Sequence, residues 1–380
     1  MRTKSRNGCI ITPPMGNANM RPLYNISKIC AMLFSDLQLI LISSNVEADI
    51  NPIIDNCKPS ILNLIYYSSP NNYFDKILFY TYSQLKSVFF LIKGSRNKKI
   101  YVFYLADTLL LQMIVAKILR KKVLLIIGAD VYRIMSVKRD PFAIIFKLFI
   151  YINYALANRL IVYSPNMVNE YNLKKFEDKI SFGYEHAIDI CSFRIEKYIN
   201  ERSLTIGFIG RLSEEKGVLN FAKSISIISN INPNINFIIG GDGHLRDAII
   251  DELRSLMNHK VILVGWIPYD ELPRCLNELR LLVLPSYTEG LPNIVLEAMA
   301  CGTPVLATPV GAILDIIEDG ETGFIMKNNS PQCIAENVSH ILGRSNLKEI
   351  SENARAFIEQ NFTFNETMRK WEEIFNGNFM

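Results

Sequence analysis

The sequence predicts an α/β fold in two domains, each a parallel sheet covered by helices on both faces. Three observations carry this. Apolar runs of strand length alternate with longer helical patterns along the chain. The strand runs are continuously apolar, which suits strands buried on both faces. A length of 380 residues, 49% hydrophobic and 21% charged, provides for two cores.

In the first half, GCIIT (8–12) starts as a strand and PLYNISKICAMLF (22–34) continues as a helix. LQLILISS (37–44) is a strand and residues 75–94 a helix; KIYVFYL (99–105) is a strand and residues 107–122 a helix. VLLIIGAD (123–130) is a strand, residues 140–156 a helix and RLIVYS (159–164) a strand. The second half repeats the plan. Strands fall at LTIGFIG (204–210), NINFIIGGDG (234–243), VILVGW (261–266), LRLLVLPS (279–286), TPVLATP (303–309) and GFIM (323–326), with helices between them. Residues 182–203 interrupt the alternation and mark the linker. We divide the chain at 1–190, 191–364 and 365–380, the last a helix expected to cross back to the first domain.

Charge divides at the same place. Residues 1–195 carry 25 Lys+Arg against 13 Asp+Glu, and the remainder carries 16 against 24. Opposite signs predict different partners, and a basic first domain fits an anionic membrane surface. The segments 77–93 and 142–159 mix aromatics with lysines, as interfacial helices do. No basic–aromatic module for nucleic acid is present. The seven cysteines are scattered, with no metal or redox spacing, which favours reduced thiols and a cytoplasmic setting. The beginning makes a poor signal peptide, and Lys147, Asn153, Asn158 and Arg159 interrupt the longest apolar stretch, so no spanning helix is expected.

Open α/β sheets bind ligands at the carboxyl ends of their strands, and three such ends in the second half are unusual. In GFIGRLSEEKG, Gly210 ends a strand, Arg211 follows, and Lys216 precedes a helix. Two cations at a helix start suit a phosphate; taken alone, they suit an exposed loop equally. In IIGGDGHLRD, Gly241 lets a ligand approach the backbone, though alone it reads as a plain turn. In SYTEGLPNIVLEAMACG, Glu289 lies at a strand's end and Glu297 inside an otherwise apolar helix. A carboxylate there needs partners, and the hydroxyls of a sugar supply them.

GRLSEEKG, GGDG, VGWIP and PSYTEGLPNIVLEAMACGTPVLATPVGAILDIIEDGETGFI, in this order across 204–326, resemble the retaining glycosyltransferases of family 4. The resemblance implies the GT-B fold: two Rossmann-like domains whose parallel sheets face each other across a cleft. It implies transfer of a hexose from a UDP- or GDP-linked donor to a lipid-linked or glycan acceptor, with no cofactor and no metal. It assigns Arg211 and Lys216 to the diphosphate, Glu289 to the donor sugar and Glu297 to the ribose. Gly290, Leu291 and Pro292 match the turn that approaches the phosphates and sugar. Trp266 and Ile267 match the base-contacting segment.

The first half departs from the pattern. Ile127 stands where the family has a histidine, Asp130 keeps its aspartate position, the linker reads EHAID (185–189), and the first glycine loop is reduced to Gly16. Gly16 and Asp130 are candidates whose plainer roles are a turn glycine and a helix cap. Two other readings remain: a sugar-nucleotide epimerase and a non-catalytic partner subunit. The first lacks the expected histidines in the first half, and the second should have lost Arg211, Lys216, Glu289 or Glu297. The implied location is cytoplasmic, peripheral on the inner face of the cell membrane.

Overall fold

The structure is a computed structural model, describing the chain except residues 1–5, 16–19, 44–50, 67–72, 95, 138, 258–259 and 377–380. The first sheet contains β1 (Asn7–Met15), β2 (Asp36–Ser43), β3 (Ile61–Tyr66), β4 (Ile100–Tyr104), β5 (Lys122–Ile127), β6 (Arg159–Val162) and β7 (Ile180–Phe182). All its pairings are parallel, in the order β3-β2-β1-β4-β5-β6-β7. The second contains β8 (Thr205–Ile209), β9 (Asn236–Gly240), β10 (Val261–Gly265), β11 (Leu281–Leu284), β12 (Val305–Ala307) and β13 (Phe324–Ile325). It too is parallel, ordered β10-β9-β8-β11-β12-β13. Strand order therefore reverses between β1 and β4 and between β8 and β11. Such reversals leave a crevice at the carboxyl ends of the strands.

Burial explains the unbroken apolar runs: every residue of β4, β8, β11 and β12 is buried. The expected helix over 140–156 is preceded by a separate helix, Val131–Val137, before Ala143–Leu156; Pro141 lies in the break. β1 runs past Pro13 and Pro14 because its register shifts between Ile11 and Pro14, relieving the missing donors. The sequence reading omitted β3, β7 and the short helices Asn51–Cys57 and Pro165–Glu170. β3 and β7 are edge strands, where one-sided exposure breaks the apolar signal.

The final helix, Phe364–Asn376, packs on the first domain. Trp371 Nε1 donates to the Tyr184 carbonyl (2.8 Å), and the Phe375 ring meets Phe34 edge-on with centroids 5.2 Å apart. A continuous buried cluster runs from Ile126 and Tyr163 in the first domain to Leu291 and Val295 in the second.

Candidate active site

The crevice between β8 and β11 holds the strongest charge pair of the predicted set. After β8 the chain passes Gly210 and Arg211, makes a tight turn at Glu214–Lys216, and enters the helix Val218–Ile231 through Gly217. Gly217 has φ +67°, and a Cβ there would lie 2.0 Å from the Pro285 carbonyl oxygen. The two loops thus meet backbone to backbone, which brings Lys216 against Glu289. Lys216 Nζ donates to both carboxylate oxygens of Glu289, at 2.6 and 2.8 Å, and Ser286 Oγ donates to one of them at 2.7 Å. Glu289 is 6% exposed and Lys216 18%. A pair this shielded is geometrically committed.

Arg211 is half exposed and lies 3.5 Å from the buried Glu215. The β9 turn runs beside it: Gly210 N donates to the Gly240 carbonyl (3.0 Å) and Gly241 N to the Gly265 carbonyl (2.6 Å). Trp266 stands exposed just beyond β10, and Ile267 packs over Gly240. Glu297 is buried on the helix Asn293–Ala300, whose residues from Val295 onward are all buried; Pro292 precedes it in extended conformation.

The turn at 289–291 is clasped by the first domain. Tyr171 Oη donates to the Glu289 carbonyl (2.6 Å), and the His186 ring reaches the Leu291 backbone. Glu170 Oε2 accepts from Gly311 N (2.6 Å), and Gly311 belongs to the loop that returns to Gly290 through Ala312 N (2.8 Å). Gly290 lies so close to the Gly128 carbonyl that a Cβ would come within 1.5 Å of its oxygen. Tyr163 and Leu291 also border a cavity of about 490 Å³ reaching Asp315 and Lys370.

Of the first-domain candidates, Asp130 caps the helix Val131–Val137, its Oδ1 accepting from Arg133 N at 2.9 Å. Ile127 is buried in β5. Gly16 lies outside the described residues. Sequence reasoning missed two buried carboxyls there. Glu185 Oε1 accepts from Tyr104 Oη (3.0 Å) and Tyr163 Oη (2.7 Å), while Oε2 has no hydrogen-bond partner among the described residues. Burial pushes its pKa up to about 7. Asp107, just beyond β4, is likewise raised to about 7 by burial, with the charge of Asp130 adding to the effect. Burial lowers His186 to about 3, so it stands neutral. For Asp107 a signal was available, an acid three residues past the apolar run YVFY; for Glu185 the short edge strand before it gives none.

Residues 192–357 match the family model described as Glycosyl transferases group 1. The matched segment contains Arg211, Lys216, Glu289 and Glu297. A capsular polysaccharide biosynthesis glycosyltransferase of Staphylococcus aureus is 29% identical over 218 residues, 53% of this chain and 56% of that protein. An alpha-D-kanosaminyltransferase of Streptomyces kanamyceticus is 28% identical over 162 residues, 42% of each chain. The chain spans about half the length of the curated relatives it matches. Among solved structures, the Anabaena protein HepE in complex with UDP superposes with a TM-score of 0.76 at 16% identity, covering 97% of this chain and 99% of that one. Sucrose-phosphate synthase from Thermosynechococcus elongatus gives 0.72 at 15% identity, covering 98% and 99%. The fold is GT-B. Among the described residues, no three His, Cys, Asp or Glu side chains group as metal ligands, and no helix is long and apolar enough to cross a membrane.

Proposed function

We propose that the chain is a retaining hexosyltransferase that moves a hexose from a UDP- or GDP-linked donor to an acceptor hydroxyl. The observation that carries this is the Lys216–Glu289 pair at the strand-order reversal of the second sheet, beneath a turn held by the first domain. Arriving diphosphate competes for Lys216 and is met from the solvent side by Arg211. Glu289 then turns its released oxygens to the donor sugar, and Glu297 serves the ribose hydroxyls. Trp266 and Ile267 border the base. The departing phosphate takes the acceptor proton on the face it leaves, while Arg211 and Lys216 stabilise its growing charge. Carboxylates near the sugar favour an oxocarbenium-like transition state. The two cations supply this stabilisation without a metal, so turnover should survive EDTA. On the acceptor side stand Asp130 and, behind it, Asp107.

The reading draws support from the family match over the donor half and from HepE having been solved with UDP-glucose. We place the acceptor on a lipid at the cytoplasmic face of an anionic membrane, on the strength of the basic first domain. The test is incubation with a panel of UDP- and GDP-hexoses, with NMR of the anomeric proton of the released or transferred sugar. One donor consumed with retention of configuration is expected. Inversion would overturn the retaining mechanism. Failure to bind any nucleoside diphosphate would overturn the transferase reading, and a strict requirement for Mg²⁺ or Mn²⁺ would overturn its metal-free form.

A further inference from the structure

Three helices of the first domain lie side by side: Tyr73–Gly94, Leu110–Ile118 and Ala143–Leu156. Gln112 Nε2 donates to the Gln84 carbonyl (3.4 Å), and Tyr80 meets Phe146 edge-on at 5.4 Å, tying the middle helix and the last to the first. Helices that cover a sheet ordinarily turn polar residues outward. These turn out Phe74 (73% exposed), Leu78 (61%), Leu85 (59%), Ile118 (72%) and Ile144 (77%). Exposed apolar side chains on three adjoining helices are the mark of a binding face. Within it lies a groove of about 260 Å³ walled mainly by Tyr80, Leu85, Leu110, Leu111, Ile114 and Phe149, with Thr81 and Gln84 contributing the polar part of its lining. The Tyr80 hydroxyl is turned to the Thr108 carbonyl (2.8 Å), so it adds little polarity to the wall.

The charges on these helices are nearly all of one sign. They carry Lys76, Lys86, Lys93, Lys117 and Lys147 against Asp75 alone. Lys86 Nζ lies 2.8 Å from Tyr82 Oη, and Lys147 Nζ stands 4.4 Å from the centre of the Tyr132 ring. Each of these two ammonium groups therefore rests against an aromatic side chain. A second copy of this face would bring lysines against lysines. An anionic bilayer satisfies both the carbon surface and the charge.

We propose that this face docks on an anionic bilayer and that the groove seats one hydrocarbon chain of an anionic lipid. The proposal deepens the lipid-acceptor reading above and rests on it for the purpose of the chain. Leu110 follows Asp107 by three residues, and Asp107 stands at the carboxyl end of β4. A chain held here therefore brings its head group toward the edge of the cleft.

The test uses the full chain and two variants at exposed sites, L85E/I114E and I114W, each checked for unchanged thermal unfolding. Co-sedimentation is measured with vesicles of phosphatidylcholine alone and of phosphatidylcholine mixed with phosphatidylglycerol, at low and high salt. Binding of lyso-phosphatidylglycerol below its micelle concentration is measured by thermal shift. The parent should sediment with the anionic vesicles at low salt, and L85E/I114E should partition about tenfold more weakly, about 1.4 kcal/mol. I114W fills the groove while keeping the face apolar. It should sediment like the parent but lose the lyso-lipid shift. A parent that stays in the supernatant, or binds neutral vesicles equally, overturns the docking. A lyso-lipid shift that persists in I114W overturns the groove assignment, and a dimer in sedimentation that buries this face overturns both. UDP affinity by calorimetry, measured in parallel, reports on the transferase reading separately.

Discussion

At the scale of single residues, the two predicted phosphate-binding cations are not equivalent. Arg211 stands half in solvent beside Glu215, whereas Lys216 neutralises a carboxylate that is 6% exposed. Removing Lys216 leaves Glu289 buried with, among the described residues, Ser286 alone to donate to its carboxylate. K216A should therefore lose about 3 kcal/mol of stability, and R211A should stay within about 0.5 kcal/mol of the parent. Adding E289A to K216A should recover most of the loss, which a double-mutant cycle by denaturant unfolding reads directly. Equal losses in R211A and K216A would sink the pairing. Both single variants should weaken UDP binding by roughly 1.5–3 kcal/mol if the charges contact phosphate. Glu185 gives a second prediction, with pH as the variable. Its folded pKa of about 7 lies above the reference 4.5. Between those values the folded state holds more protons than the unfolded one, so this group's contribution falls as pH rises and its penalty is complete above about 7. Relative to E185Q, the parent should lose on the order of 3 kcal/mol from pH 4.5 to 7. Parallel stability curves for the two proteins would refute the raised pKa.

At the scale of elements, the second-domain loops are positioned by backbone contact. Gly217 and Gly320 both have positive φ, +67° and +80°, but only Gly217 faces a carbonyl oxygen at 2.0 Å from a built Cβ; Gly320 faces the Arg344 side chain at 3.8 Å. Gly320→Ala should cost about 1–2 kcal/mol, the strain of a left-handed alanine. Gly217→Ala should cost clearly more and weaken UDP binding too, because it pushes the Lys216 turn off the Pro285 loop. Thermal unfolding and calorimetry on the two variants check this, and equal effects would show that the close approach does not matter. These elements also show what a sequence can convey. β8, β9 and β11 were legible because burial on both faces leaves an unbroken apolar run. β3 and β7 were not, since an edge strand need not be apolar on both sides. Arg211, Lys216, Glu289 and Glu297 were legible as residue types at strand ends and in a helix. That Lys216 grips Glu289 was not, because 73 residues separate them and only the β8–β11 adjacency brings them together. Asp107 and Glu185 were overlooked because an acid after a strand resembles a solvated loop until its burial is known.

At the scale of the whole molecule, the two domains meet at a seam formed around the 289–291 turn and the Gly311 loop. Gly290 of the second domain sits on the Gly128 carbonyl of the first, with Tyr171 and His186 reaching across to the same turn. The final helix ties the domains on another side through Trp371 and Phe375, so separation at the seam need not unfold either sheet. Backbone opposes backbone at Gly290, and no flexible side chain can give way. Gly290→Ala must therefore hold the seam apart. Each domain keeps its own hydrogen-bonded sheet, and the Lys216–Glu289 pair lies wholly within the second domain. Because Gly290 belongs to the turn assigned to the phosphates, the variant should weaken UDP binding by about tenfold, ~1.4 kcal/mol, a smaller loss than its loss of transfer. It should show a larger radius of gyration in solution scattering and lose most transfer, since a donor bound in one domain no longer meets an acceptor held by the other. If Gly290→Ala instead keeps full transfer and the parent's scattering curve, the contact with Gly128 is not what sets the domain arrangement, and the first domain's hold on the 289–291 turn must rest on the side chains of Tyr171, His186 and Glu170.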